Sequence, residues 1–178
     1  TNLKVETEEE TEVVDIEQSN LSIGYTYLNK AGYKFSLNSH SISSDDEYIW
    51  ESVTTTAALG KFDQYKSYFG MQLSQTNYNR TDEEALEVTQ VSLIQEWYFQ
   101  HFSFGIMPHV ISVKDYDLTA DELDGNYYSI SFLPTLYFKY FFVGANFTFG
   151  EQRFYVGNNG FLVNNSSDLY QSQYNGFL

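Results

Sequence analysis

Large apolar and small polar side chains alternate along most of this chain, and that alternation restricts it to β-strands more than any other feature does. Leu21, Ile23, Tyr25 and Tyr27 interleave with Ser22, Gly24 and Thr26. Phe69, Met71 and Leu73 interleave with Gly70, Gln72 and Ser74, and Val143, Ala145, Phe147 and Phe149 with Gly144, Asn146 and Thr148. Successive side chains of a strand point to opposite faces, so a period of two marks a strand lying between two environments. The pattern predicts eight strands, near 20–29, 31–42, 48–59, 65–77, 86–99, 101–114, 126–138 and 140–150. Helical spacing competes only around Asp82–Gln90. A further strand from within 5–16 and another from 153–163 or 168–178 would bring the number to ten.

Four connections are short, at Leu28–Gly32, Gly60–Lys66, Phe99–His101 and Phe138–Tyr140, and aromatics shoulder each one. Tyr25, Tyr27 and Tyr33 flank the first, and Phe62, Tyr65 and Tyr68 the second. Trp97, Tyr98 and Phe102 flank the third, and Tyr137 and Phe141 the fourth. The intervening connections (43–47, 78–85, 115–125) are longer and acidic or polar. An up-and-down sheet puts all its short turns at one end, so these rings would form one belt. Such belts mark the level where a barrel wall passes from hydrocarbon into headgroups. The predicted fold is all-β, an antiparallel up-and-down β-barrel of 8–10 strands that crosses a membrane. Residues 1–18 read as an acidic N-terminal arm, with a short strand around Val13–Ile16, and 19–178 as the barrel domain.

Charge placement agrees with this. The 178-residue chain carries a formal net charge of -15, and seven of its acids fall in residues 1–17. Others gather at Asp45–Glu51, Asp82–Glu87 and Asp115–Asp124, while 18–44, 97–114 and 125–150 contain none. Acidic loops around an ordinary β core would also alternate in this way, but strands without charge on either face are less expected there. Nine basic residues in an acidic chain cannot build a phosphate-neutralising face, which excludes nucleic acid as a partner. The absence of cysteine excludes disulfides and thiolate metal sites. No run of eighteen apolar residues exists, so no transmembrane helix is expected.

Periodicity alone does not say which face is inside. In a soluble ligand-binding barrel, Phe69, Met71, Phe104, Ile106, Val143 and Phe147 would line a pocket, and the outer face would need Lys and Glu. Here the second face is mostly Gly, Ser, Thr, Asn and Gln, which suits a narrow polar lumen. Phe35, Phe69, Phe104, Phe147 and Val143 are therefore expected to point outward, and Ser36, Gly70, Gly105, Asn146 and Thr148 inward. A barrel of 8–10 strands is largely filled by its own side chains, so no wide pore is expected.

Through LSIGYTYLNKAGYKFSL, EWYFQHFSFGIMP and FLPTLYFKYFFVGANFTFG, residues 20–157 resemble small bacterial outer-membrane β-barrel proteins. The resemblance implies the outer membrane of a Gram-negative bacterium, with membrane lipid or lipopolysaccharide as partner. Residues 91–150 are also faintly similar to the lipid A palmitoyltransferase barrel, in a Glu-Trp strand, a hairpin and a following Leu-Pro. That enzyme's catalytic Asp-Ser pair would fall where this chain has Ser74, Gln75 and Thr76. No catalytic residue is carried over.

Candidate chemistry is sparse. His109 shares the expected lumen face with Ser129 and Ser131, and with Glu96 as orienter a Ser–His pair could support acyl transfer or ester hydrolysis. The alternative is a hydrogen-bonded cluster that fills the barrel. His40 sits near a loop mouth and His101 in a turn. Asp115, Asp117, Asp121 and Asp124 could chelate a cation, but the order of a calcium loop is absent and a solvated loop explains them as well. No cofactor is expected. The function expected from these readings is a small outer-membrane barrel with a closed or narrow polar lumen, acting structurally or through its acidic surface loops. A soluble barrel binding an apolar ligand and a lipid-modifying enzyme are the alternatives.

Overall fold

Nine strands follow one another in a single antiparallel sheet in the computed structural model of the chain. Residues 2–4, 13–15, 18–44, 51–64, 66–80, 83–115, 124–157, 162–163 and 169–177 are described. β1 (Asn2–Lys4) and β2 (Val13–Asp15) pair only with each other. The main sheet runs through β3 (Gln18–Leu28), β4 (Tyr33–Ser44), β5 (Glu51–Asp63), β6 (Ser67–Arg80), β7 (Glu83–Tyr98), β8 (Phe102–Asp115), β9 (Gly125–Tyr137) and β10 (Phe142–Gln152). A small pair, β11 (Val156–Gly157) with β12 (Leu162–Val163), precedes β13 (Tyr170–Phe177), which pairs with β10. Each strand from β3 to β10 pairs with its neighbour in sequence, so the eight expected strands are all present. The ambiguous stretch around 82–90 is part of β7, held between β6 and β8.

The two faces of the sheet are inverted relative to an ordinary core. Ser36, Asn38, Thr54, Thr56, Gln72, Ser74, Thr76, Gln90, Ser92 and Thr148 are buried, while Ile23, Leu59, Phe69, Met71, Leu73 and Leu93 are exposed. Among the described residues only the segment 153–156 lies over the buried face, so the sheet encloses the rest by curling. Contacts that skip a strand report the curl. Phe62 of β5 reaches Tyr98 of β7 with ring centroids 6.1 Å apart, across the concave side of β6. Phe35, Phe69, Phe147 and Val143 are exposed, and Phe104 stacks with outward Trp97 at 6.4 Å. Ser36 and Thr148 are buried, as are Gly70 and Gly105, in agreement with the face expected for each.

The short-turn end is stitched by backbone hydrogen bonds. The amide of Phe62 donates to the Gly32 carbonyl at 2.9 Å, that of Tyr98 to Lys66 at 2.8 Å, and that of Tyr137 to His101 at 2.9 Å. Each turn thus leans on the one before it. Gly32 closes the first turn at φ +84°, a left-handed conformation that side chains disfavour. Phe62, Tyr68 and Tyr98 were expected in the outer belt, but they stand on the concave side. The Tyr98 hydroxyl donates to the Glu96 carboxylate, and the Lys34 ammonium lies 5.5 Å over the Tyr68 ring. Tyr68 fits there because it covers two glycines on paired positions of β5 and β6, Gly60 and Gly70.

Closure differs from expectation. Among the described residues the sheet has nine strands, within the expected 8–10, and β3 and β13 each have a single neighbour, so it is not closed. The ninth strand comes from 170–177, within the anticipated 168–178. Of the anticipated strand within 5–16 only Val13–Asp15 is described, and it pairs with Asn2–Lys4; the rest lies outside the described residues.

Tyr68 gives a direct test of the packing at the short-turn end. A Cβ at Gly70 would come within 2.6 Å of its hydroxyl, and one at Gly60 would run into the same ring. Gly60→Ala should therefore destabilise the fold by about 1–3 kcal/mol, the usual cost of overpacking. Adding Tyr68→Leu should recover part of the loss, measured by urea unfolding followed through Trp fluorescence. Equal midpoints for wild type and Gly60→Ala would show that Tyr68 is not fixed over the glycines.

Candidate functional site

Burying a face of hydroxyl and amide groups demands that they bond one another, since an unpaired buried polar group costs about 1–3 kcal/mol. Here most do so, across strands and along them, while Ser52, Ser129 and Gln152 have no partner among the described residues. Thr54 bonds Thr76 at 2.9 Å, Thr56 bonds Ser74 at 2.9 Å, and the Gln72 amide donates to Ser74 at 3.2 Å. Thr26 bonds Ser36 at 3.0 Å, and Ser22 bonds Nδ1 of His40.

The densest part of this network centres on His109. Its Nδ1 lies 2.8 Å from Ser92 Oγ and its Nε2 2.8 Å from Ser131 Oγ. Ser131 continues to Thr148 at 2.7 Å, and the Thr148 hydroxyl donates to Asn146 at 3.2 Å. A neutral imidazole satisfies such a site, because one ring nitrogen donates while the other accepts. All of Ser92, His109, Ser131 and Thr148 are buried. Their positions follow from register, since Ser92 pairs with His109 across the β7–β8 hairpin and Ser131 with Thr148 across β9–β10.

Residues 153–156, just past β10, fold back onto the concave face and cover this network. Phe154, Tyr155 and Val156 are buried there. Phe154 packs on Tyr78 with centroids 4.9 Å apart, and Tyr155 meets His109 edge-on at 5.1 Å. The Tyr155 hydroxyl lies beside Ser131 and Asn146. Gln90 holds the segment as another strand would, its amide donating to the Val156 carbonyl at 2.7 Å and its oxygen accepting the Val156 N–H at 2.8 Å. Around the segment, Tyr78, Leu86, Val88, Ile111 and Val113 form the apolar cluster of the interior. The inward course begins where the β10–β13 register shifts between Phe149 and Gln152, with Gly150 at φ +108° and Phe154 at φ +51°. A positive φ at Phe154 costs on the order of 1–3 kcal/mol, which the burial of its ring must offset.

The residues singled out by sequence reach different places. His109 and Ser131 meet, as expected of a Ser–His pair. Ser129 faces His109 in the β8–β9 register, but its buried hydroxyl has no hydrogen-bond partner among the described residues. Glu96 lies among the aromatics of the short-turn end, bonded to Tyr98, and Ser92 occupies the orienting position on His109 Nδ1. Ser92 was not anticipated. Positions equidistant from a hairpin turn pair with each other, and counting outward from Gln100 and His101 would have matched it to His109. His40 is buried against Ser22, whereas His101 is exposed in its turn. Asp115 ends β8 and Asp124 is exposed before β9, while Asp117 and Asp121 lie outside the described residues. Among the described residues, no three His, Asp or Glu side chains come together in a way that could hold a metal.

Chemically, the His109 network ties β7, β8, β9 and β10 together, with Tyr155 edge-on beside the imidazole. Gln90→Leu removes both bonds to Val156 and should release the segment. The expected result is faster hydrogen exchange at the Val156 amide, with the amides of β7 and β8 unchanged. Unaltered exchange at Val156 would show that Gln90 does not hold the segment. Comparison with protein-family models, curated proteins and solved structures gives no match for this chain.

Proposed function

We propose that this protein is a small outer-membrane β-barrel of a Gram-negative bacterium, with a filled polar lumen and a structural or surface-interaction role. The observation that carries the reading is the inverted sheet, with large apolar side chains outward and hydrogen-bonded polar ones inward. Water gives no reason to expose Ile23, Leu59, Phe69 and Leu93 while burying Thr54, Gln72 and Ser92, and hydrocarbon gives one. Charge supports the same reading. On the outward positions of β5, Lys61 and Glu51 bracket a charge-free run from Leu59 to Val53. From Lys61 to Glu51 are ten steps of ~3.3 Å, about 33 Å along the strand. At a tilt of ~40° this is roughly 25 Å of height, the hydrophobic thickness of an outer-membrane barrel. Membrane lipid or lipopolysaccharide is then the natural partner of the wall, and the acidic loops are the surface open to others.

Hydrocarbon does not tolerate an open strand edge. The reading therefore requires β3 and β13 to be joined in the membrane. With nine strands the two run in the same direction, so they meet as a parallel pair or through one intervening strand. The soluble ligand-binding alternative would need the apolar face inside, opposite to what the side chains do. The enzymatic alternative has one favourable contact, His109 to Ser131, but both residues are sealed beneath Tyr155.

Leu93→Arg places a charge near the middle of the uncharged outer face. It should cost about 2–4 kcal/mol and block stable insertion, whereas Thr148→Val should leave insertion intact. Heat-modifiable gel mobility and extraction only by detergent read both outcomes. A Leu93→Arg protein that inserts like wild type, or a wild type that stays soluble and monomeric without detergent, would overturn the assignment. In planar bilayers the wild type should give no large stable conductance, because Phe62, Tyr68 and Tyr98 occupy one end of the lumen and Phe154 to Val156 the other. Nanosiemens-scale steps would contradict a filled lumen.

A further inference from the structure

The four short turns form one continuous rim, but its two halves differ in chemistry. The β3–β4 and β5–β6 turns carry Lys30, Asp63 and Lys66 at their tips. The β7–β8 and β9–β10 turns read Phe99-Gln-His-Phe102 and Phe138-Lys-Tyr-Phe-Phe142, with one formal charge between them. Those rings are not folded away. Tyr140 is 84% exposed, Phe99 61% and Phe141 56%. The lone charge, Lys139, rests its ammonium 4.9 Å over the Tyr140 ring.

A ladder of rings links this half of the rim to the outer wall. Phe99 stacks on Phe102 at 5.8 Å, Phe102 on Phe104 at 6.5 Å, and Phe104 on Phe132 at 6.2 Å. No charged side chain interrupts the ladder. In the other half the wall ends below the tips, where Lys61 places its ammonium 4.9 Å over Tyr33 and Asp63 follows. The apolar surface therefore reaches further toward the turn tips on the β7–β10 side than on the β3–β6 side.

Resting on the membrane reading above, we infer that the β7–β8 and β9–β10 turns lie within the phospholipid headgroup layer, while the β3–β4 and β5–β6 turns stand in water. The occupant is a lipid surface, because the exposed rings continue the wall without a break. Aromatic rings beside a lysine that can reach outward suit the zone between hydrocarbon and water. A wall of uneven height is matched to a bilayer of even thickness by tilting the barrel toward its taller side.

Single tryptophans test this on a chain whose native Trp50 and Trp97 are replaced by Phe. Phe69→Trp reports the wall, Tyr140→Trp the aromatic half of the rim and Lys30→Trp the charged half. Each folded protein is placed in phosphatidylcholine vesicles with bromines near the carbonyl end of the acyl chains, and separately exposed to aqueous iodide. The expected result is blue-shifted emission quenched by bromolipid at positions 69 and 140. At position 30, red-shifted emission quenched by iodide is expected. Lipid quenching at 69 with iodide quenching at both 140 and 30 would overturn the inference and leave the membrane wall standing. Equal lipid quenching at 140 and 30 would overturn the asymmetry. Phe69→Trp open to iodide in a folded protein would remove the membrane reading itself, and the rim placement with it.

Discussion

The structure depends on hydrogen bonds that a polar interior must make with itself. A sheet that buries Ser, Thr, Gln and His gains nothing from removing them from water unless each finds a partner, and the net value of each bond is only about 1 kcal/mol. The chain meets much of this demand with short side chains that reach across to the next strand, as Thr54 does to Thr76 and Ser92 to His109, while Ser52, Ser129 and Gln152 find no partner among the described residues. Such bonds require adjacent strands in fixed register, and a slip of one residue would send every hydroxyl to the outer face. The polar interior thus fixes register as firmly as an apolar core does elsewhere. It also leaves the large apolar side chains on the outside.

Glycine and aromatic residues complete the filling where hydroxyls are too small. At the short-turn end the Tyr68 ring covers Gly60 and Gly70, and at the other end residues 154–156 bring two aromatics and a valine onto Tyr78, Leu86 and Ile111. Gln90 shows how a single side chain can stand in for a strand, offering one donor and one acceptor to the backbone of Val156. The outcome is an interior occupied at both ends by the chain itself.

Much of this was legible in the sequence. The eight central strands followed from the period of two, and the outward course of Phe35, Phe69 and Phe147 from the small polar residues beside them. The inward course of Tyr68 and Tyr98 was not legible, because tyrosine suits either a belt or a lumen. Gly60 and Gly70 were the available signal, two missing side chains at one level on paired strands. The segment 153–157 reads as the start of a strand because Phe154, Tyr155 and Val156 favour extended structure. Its fold inward rests on Gly150, Phe154 and a register break that no local pattern announces. At the candidate site, His109 and Ser131 were placed by strand parity. Ser92 was missed and Glu96 misassigned, because partners on neighbouring strands depend on register as well as on face.

The central claim is that the outer face of the sheet meets hydrocarbon. Since the chain has no cysteine, single cysteines can be introduced and spin-labelled without background. Labels at Phe69, Met71 and Leu73 are compared with labels at Gln72, Ser74 and Thr76 on the same strand, in vesicles. Collision rates with oxygen, which enters hydrocarbon, and with a nickel chelate, which stays in water, are measured at each. The account predicts high oxygen and low nickel collision at 69, 71 and 73, and low values for both at 72, 74 and 76. High nickel collision at 69, 71 and 73, with the protein folded, would contradict it.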